Sequence, residues 1–342
     1  MQPPPPPSPR RRLLTWLASL VGGAVFLWIA SSRLQLWPDE LVVPAPWLLA
    51  LALAVHVPYA LVRAMRLRYL LDPVVAAADP TRAGLRGAVL YGSGLVSFLV
   101  LLVLPLKLGE LSRPLLLARA REPGVGLPEA LAAVATERII DGLVICGMLF
   151  GGLAVVHELG PEAPSHLSDV RAVGQGMLAI FVVGLVVLLT AAYAPARAAA
   201  LAERLPGTLG PRVAALVRRV AEPVRPLLDP RRAVPLVGWS LVYWAITTFQ
   251  LWLVLCGCGV SLPPAAAAAV VAIVGLSIQL PGGPAQAGTF QIGASLALGL
   301  FLGEAEIQGP GSTFAAAMYA MQLVGAAMVA LPGLWLLRRP GP

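Results

Sequence analysis

The sequence predicts an all-α polytopic membrane protein with about six full transmembrane helices plus two re-entrant, broken helical elements. Three observations carry that expectation. The 342 residues are 58% hydrophobic and only 12% charged, against roughly 25% charged in soluble domains. The apolar residues form long unbroken runs, each approaching the roughly 20 residues that a spanning helix needs. That excludes an outer-membrane barrel, whose strands alternate apolar and polar side chains. Finally, the connecting segments sort by charge sign, as expected of a chain that crosses a bilayer repeatedly.

Pro3 to Pro7, followed by Arg10, Arg11 and Arg12, read as a disordered Pro/Arg-rich tail over 1–12, because a proline run cannot be helical. The run 13–30 behind those arginines resembles a signal peptide. It is long enough to span, and more spans follow, so it is read as a retained signal-anchor. Runs 46–62, 129–156, 173–193, 233–257 and 312–337 supply the other full spans. Residues 13–337 are thus expected to be a single integral membrane domain, with 338–342 as a short tail.

Orientation follows from the loops. Segments 31–45, 157–172 and 303–311 are acidic, the last carrying Glu304 and Glu306 with no base. Segment 63–87 carries Arg63, Arg66, Arg68, Arg82 and Arg86, and segment 194–232 carries eight arginines against Glu203, Glu222 and Asp229. Basic segments belong on the cytoplasmic side, which places both termini there. In 194–232, Arg212, Arg218, Arg219, Arg225, Arg231 and Arg232 alternate with apolar residues. This segment reads either as an amphipathic helix on the cytoplasmic leaflet or as an ordinary positive loop.

Runs 88–104, 265–280 and 289–302 do not fit as simple spans. The first leads from one basic segment into another. The other two leave an outside turn and return to an acidic outside loop. Gly92 and Gly94 break the first, and Pro281-Gly-Gly-Pro-Ala-Gln-Ala-Gly288 separates the other two. Two re-entrant elements, near 88–117 and 265–302, resolve the conflict. The alternative is that 88–104 crosses and one basic loop violates the charge rule. Broken segments entering from opposite faces suggest an inverted repeat around a central site.

The few charges inside apolar runs are the candidate site. Lys107, Glu110 and Arg113 follow the break at Pro105 and Gly109. Glu137, Arg138 and Asp141 lie within 129–156, with Glu137 and Asp141 on one helix face. An unpaired charge in a bilayer costs at least about 2.5–3.5 kcal/mol, so the three bases are expected to pair with the three acids. Two readings stay open: a neutral network that locks elements together, or a polar cavity where a lipid phosphate displaces a carboxylate from arginine or lysine. In the second break, Pro281, Gly282, Gly283, Gly288, Thr289 and Gln291, with Gln286, offer backbone amides and hydrogen bonds to an anionic group. The alternative there is a tight turn without a ligand.

Other chemistries find little support. Cys146, Cys256 and Cys258 contain no CxxC pair, and His56, His157 and His166 are scattered, so no metal site or cofactor is expected. The net charge of +8 is read as cytoplasmic arginine and not as a nucleic-acid surface. A carboxylate pair alone, without a nucleophile, supports acid–base catalysis weakly.

At these residues the chain resembles the lysylphosphatidylglycerol synthase transmembrane (flippase) domain family. Pro105, Gly109, Glu110 and Arg113 match its P-x-x-x-G-E-x-x-R segment, and Glu137, Arg138 and Asp141 match its E-R-x-x-D helix. Pro281, Gly282, Gly283 and Gly288 match a terminal glycine-rich segment loosely, with Gln291 where an acidic residue is usual. Arg63 to Leu71 resemble the family's basic patch after the second span. The resemblance implies transport without synthesis, since nothing after Leu337 supplies a soluble aminoacyl-transferase domain, so the chain is not expected to be an enzyme. It implies a lipid translocase or transporter taking an anionic or aminoacylated phospholipid, with polyprenyl or hopanoid lipids as further candidates. A homo-oligomer or a separate synthase partner fits the same picture. The runner-up is an integral membrane enzyme or accessory subunit for polyprenyl-phosphate or glycolipid transfer; a third reading is a structural membrane scaffold.

Overall fold

The computed structural model describes residues 9–32, 34–36, 38, 40–104, 107–156, 159–160, 163–204, 209–280 and 282–338, and the regular structure among them is helical. The proline run, Pro105 and Pro281 lie outside the described residues.

Helix α1 (Pro9–Ala30) starts at a proline, which costs no hydrogen bond at a first helical position. Arg10, Arg11 and Arg12 therefore belong to the helix, which shortens the expected tail. Helices α2 (Pro46–Met65) and α3 (Arg68–Ala78) run almost continuously. Next come α4 (Gly87–Val103), α5 (Ser112–Arg119), α6 (Leu127–Val155) and α7 (Ala163–Tyr193). The basic segment folds as α8 (Pro195–Glu203) and α9 (Leu209–Val224), then a 3-10 turn (Arg225–Leu228). Helices α10 (Pro230–Gly257), α11 (Pro264–Ser277) and α12 (Thr289–Gly299) follow. The expected loop 303–311 is instead helical: α13 (Glu304–Glu306) passes through a π turn (Ile307–Gly311) into α14 (Ser312–Arg338).

Among the described residues, five stretches are long and apolar enough to cross a membrane: Pro46–Ala78, Leu127–Val155, Leu167–Tyr193, Pro230–Gly257 and Glu304–Arg338. They fall on five of the six expected spans, and α1 occupies the sixth. The main core joins α6, α10, α11, α12 and α14 through side chains such as Leu149, Val254, Val270, Phe290 and Phe314. Helix α4 packs along α14.

The remaining apolar helices form two hairpins. At about 1.5 Å per residue, α4, α11 and α12 (17, 14 and 11 residues) reach about 25, 21 and 16 Å. Past α4 the chain turns back through Lys107, in the left-handed region at φ 63°, and a 3-10 turn (Leu108–Leu111) into α5. The reversal is tight: a Cβ on Gly109 would stand 2.4 Å from the Leu101 Cα, so the turn requires glycine.

Helix α6 shows how the hairpins are placed. The open end of the α4–α5 hairpin lies just before α6 begins. There the Arg86 guanidinium donates to the Ala120 carbonyl at 3.1 Å and to Glu122, and Arg82 reaches Glu122 at 2.7 Å. The open end of the α11–α12 hairpin lies where α6 finishes. Ala265 packs on Gly152, and the Gly160 N–H donates to the Leu300 carbonyl at 2.8 Å. The open ends of the two hairpins thus lie at opposite ends of α6, and their tips meet. The Lys107 ammonium donates to the Ile278 carbonyl, where α11 stops, a position that favours a cation.

Helix α1 lies against the second tip. A Cβ on Gly23 would sit 2.7 Å from the Gly283 Cα, and the Ser19 hydroxyl donates to the Gly282 carbonyl at 3.0 Å. Only glycine at both positions lets the two backbones approach this closely.

Candidate functional site: a cationic cavity at the hairpin tips

Glu137 and Asp141 lie 10 and 14 residues into α6, about 15 and 21 Å from its start. Four residues apart, they share a face, and both are buried. A guanidinium is their main partner, but not one of the three bases expected. Arg66, at the end of α2, donates to Asp141 at 2.5 and 3.0 Å, to Glu137 at 2.8 Å and to the Ser240 hydroxyl at 2.8 Å. Its planar fork suits two carboxylates at once, and it stacks 4.4 Å from the Tyr243 ring centre. Arg113, at the start of α5, takes the other Glu137 oxygen at 2.7 Å and donates to the Ala64 carbonyl at 2.9 Å. The Trp244 indole N–H donates to Asp141 at 3.1 Å. Two arginines and two carboxylates therefore form a closed, neutral cluster joining α2, α5, α6 and α10.

Two expectations are corrected here. Arg63 and Arg66 are not surface residues of a cytoplasmic loop but are buried, Arg66 completely. Helix α2 continues past the predicted span end, and the carboxylates of α6 require a cation at that depth. Nor do the three expected bases divide the three acids among themselves. Lys107 and Glu110 pair at 3.5 Å and Arg113 pairs with Glu137, but Arg66 takes Asp141.

Arg138 is left over. It points into a cavity of about 160 Å³ beside the cluster, between the hairpin tips and helices α2, α6, α10 and α14. Arg63 lines the same space, one face of its guanidinium 4.3 Å from the Phe98 ring centre and one terminal nitrogen buried without a partner. Among the described residues, neither Arg63 nor Arg138 donates a side-chain hydrogen bond or makes an ion pair. With Lys107 balanced by Glu110, and Asp141 held by Arg66, the cavity keeps about two uncompensated positive charges. Tyr59, Tyr243, Trp244 and Phe290 furnish aromatic walls, and His56 and Gln250 close one side.

The second tip is divided. Gln286 and Gln279 line the cavity. Ala285 and Gln286 both hold positive φ, 56° and 61°, a conformation that costs a non-glycine residue about 1–3 kcal/mol. Gly283 and Gly288 pack against α1, and the Gly282 carbonyl accepts from Ser19. Thr289 donates to the Gln286 carbonyl at 3.0 Å, and Gln291 caps its own helix by accepting from the Gly288 N–H at 2.8 Å. Gly109 serves the fold-back. Pro281 lies outside the described residues.

The sequence carried a signal for the missed arginines. His56, Tyr59, Arg63 and Arg66 recur at helical spacing along one face of an otherwise apolar stretch, as do Tyr243, Thr247 and Gln250 on α10. The two stripes face each other: the Tyr59 and Tyr243 rings stack 5.1 Å apart, and the Gln250 amide donates to the Ala52 carbonyl at 2.9 Å.

No curated protein and no solved structure gives a significant match to the chain. Residues 16–336 do match a family model described as the lysylphosphatidylglycerol synthase TM region. With its apolar helices and a match over nearly its whole length, the chain is a multi-pass membrane protein that belongs to the lysylphosphatidylglycerol synthase transmembrane-region family.

Proposed function

We propose that the protein is a lipid translocase that passes an anionic headgroup through the central cavity while the acyl chains stay in the bilayer. The observation that carries this reading is the pair Arg63 and Arg138, two guanidiniums in a space between spanning helices that make no ion pair among the described residues. A charge held away from water is costly unless paired, and a phosphate meets the geometry of arginine in particular.

The opposed hairpins supply the path. Short helices entering from opposite ends and meeting tip to tip form a barrier thinner than a full span, at which either side can open in turn. The basic end, with Arg82, Arg86 and the exposed face of α9, is assigned to the cytoplasm, and the end bearing Glu304 and Glu306 to the opposite side.

The test is reconstitution of the full chain in vesicles containing a fluorescent anionic phospholipid, with an impermeant reductant added outside. The expected result is that more label becomes reducible than the outer leaflet holds, with unchanged lipid mass. A changed lipid mass supports an integral membrane enzyme instead. Label loss equal to that of protein-free vesicles overturns the proposal.

A further inference from the structure

Resting on the lipid reading above, we infer that the cavity selects a phospholipid whose head beyond the phosphate is neutral and hydroxylated, a glycerol or sugar, over one bearing an ammonium group. The inference concerns what is left unoccupied inside the cavity once the internal pairs are made.

Every carboxylate near it is engaged. Both oxygens of Asp141 and of Glu137 accept from Arg66, Arg113 or Trp244, and Glu110 stands 3.5 Å from the Lys107 ammonium. Among the described residues an incoming ammonium would meet no carboxylate without a cation beside it and would face two guanidiniums of its own sign, a repulsion that grows as water is excluded.

The neutral groups are placed differently. Gln279, Gln286 and Gln322 all line the cavity, and among the described residues none of the three makes a side-chain hydrogen bond. A primary amide both donates and accepts, as a hydroxyl does, whereas an ammonium only donates. Gln279 and Gln286 flank the second tip and Gln322 sits on α14, so the three reach the cavity from two sides. Gln286 is held there by a positive-φ backbone, a strain that a purely structural turn with glycines beside it has no need to keep. Arg63 and Arg138 then take the phosphate, and the glutamines take the hydroxyls.

The experiment is lipid retention by the purified full chain, read by native mass spectrometry against an equimolar mixture with matched acyl chains. The mixture holds phosphatidylglycerol, phosphatidylmethanol (same charge, no hydroxyls) and lysyl-phosphatidylglycerol (ammonium-bearing). Phosphatidylglycerol is expected to be retained about tenfold over each of the others, the equivalent of one or two net hydrogen bonds. In Gln279→Ala/Gln322→Ala its advantage over phosphatidylmethanol should fall to parity while its advantage over the lysyl lipid persists. A wild-type protein that retains phosphatidylmethanol equally, or the lysyl lipid equally or better, overturns this inference alone, provided retention of anionic lipid still falls in Arg63→Gln/Arg138→Gln. Retention unchanged in that folded arginine variant overturns the lipid-site reading and this inference together.

Discussion

Arg66, where α2 ends, grips Asp141, midway along α6, through both carboxylate oxygens at 2.5 and 3.0 Å, with the two side chains 0% and 7% exposed. The pair ties two spanning helices at a depth where neither charge is tolerated alone. Removing one partner of such a pair costs about 3–5 kcal/mol, although the intact pair contributes little beyond its desolvation cost. Arg66→Ala is therefore expected to lower thermal stability strongly, read as loss of the monodisperse peak on heating before size-exclusion chromatography. Arg66→Ala combined with Asp141→Asn should recover part of that loss.

Arg113 carries a smaller share. Its removal leaves Glu137 bonded to Arg66 and takes a donor from two carbonyls, those of Arg63 and Ala64. Arg113→Ala should cost about 1–3 kcal/mol, less than Arg66→Ala in the same assay. The reverse order would mean that α5, and not α2, anchors the cluster.

This division was only partly legible in the sequence. The breaks at 104–109 and 281–288 were visible because glycine and proline interrupt apolar runs, and the Glu137/Asp141 face followed from their spacing of four. Charge counting assigns Arg63 and Arg66 to a cytoplasmic loop because it treats a segment as one unit. It cannot distinguish an arginine on the last turns of a span from one just beyond it. The helical stripe from His56 to Arg66 makes that distinction, but it is read only when polar residues inside a span are followed by face and not by number. The leftover cation, Arg138, needed the structure, since six charges on two segments pair plausibly in several ways.

The contact between α1 and the second hairpin tip depends on two glycine backbones. Gly283→Val places side-chain atoms where Gly23 now packs, and overpacking of this kind costs about 1–3 kcal/mol. Hydrogen exchange of the Gln286 and Ala287 amides, both bonded within the tip, is expected to speed up in Gly283→Val. An unchanged rate would show that α1 is not seated on the tip.

Lys107 joins the two tips. Lys107→Gln removes the cation at the end of α11, an interaction that contributes up to about 2 kcal/mol when partly buried. Backbone hydrogen exchange over 278–288 should rise several-fold, while the middle of α6 stays protected.

The most direct measurement is the initial rate of anionic phospholipid translocation in vesicles by Arg138→Gln against the unaltered chain, at equal amounts of folded protein. Loss of one charge-assisted hydrogen bond corresponds to about 1.5–3 kcal/mol, so the rate should fall by about 10- to 100-fold with thermal stability nearly unchanged. A rate equal to that of the unaltered chain would contradict the claim that the unpaired cations of the cavity carry the headgroup.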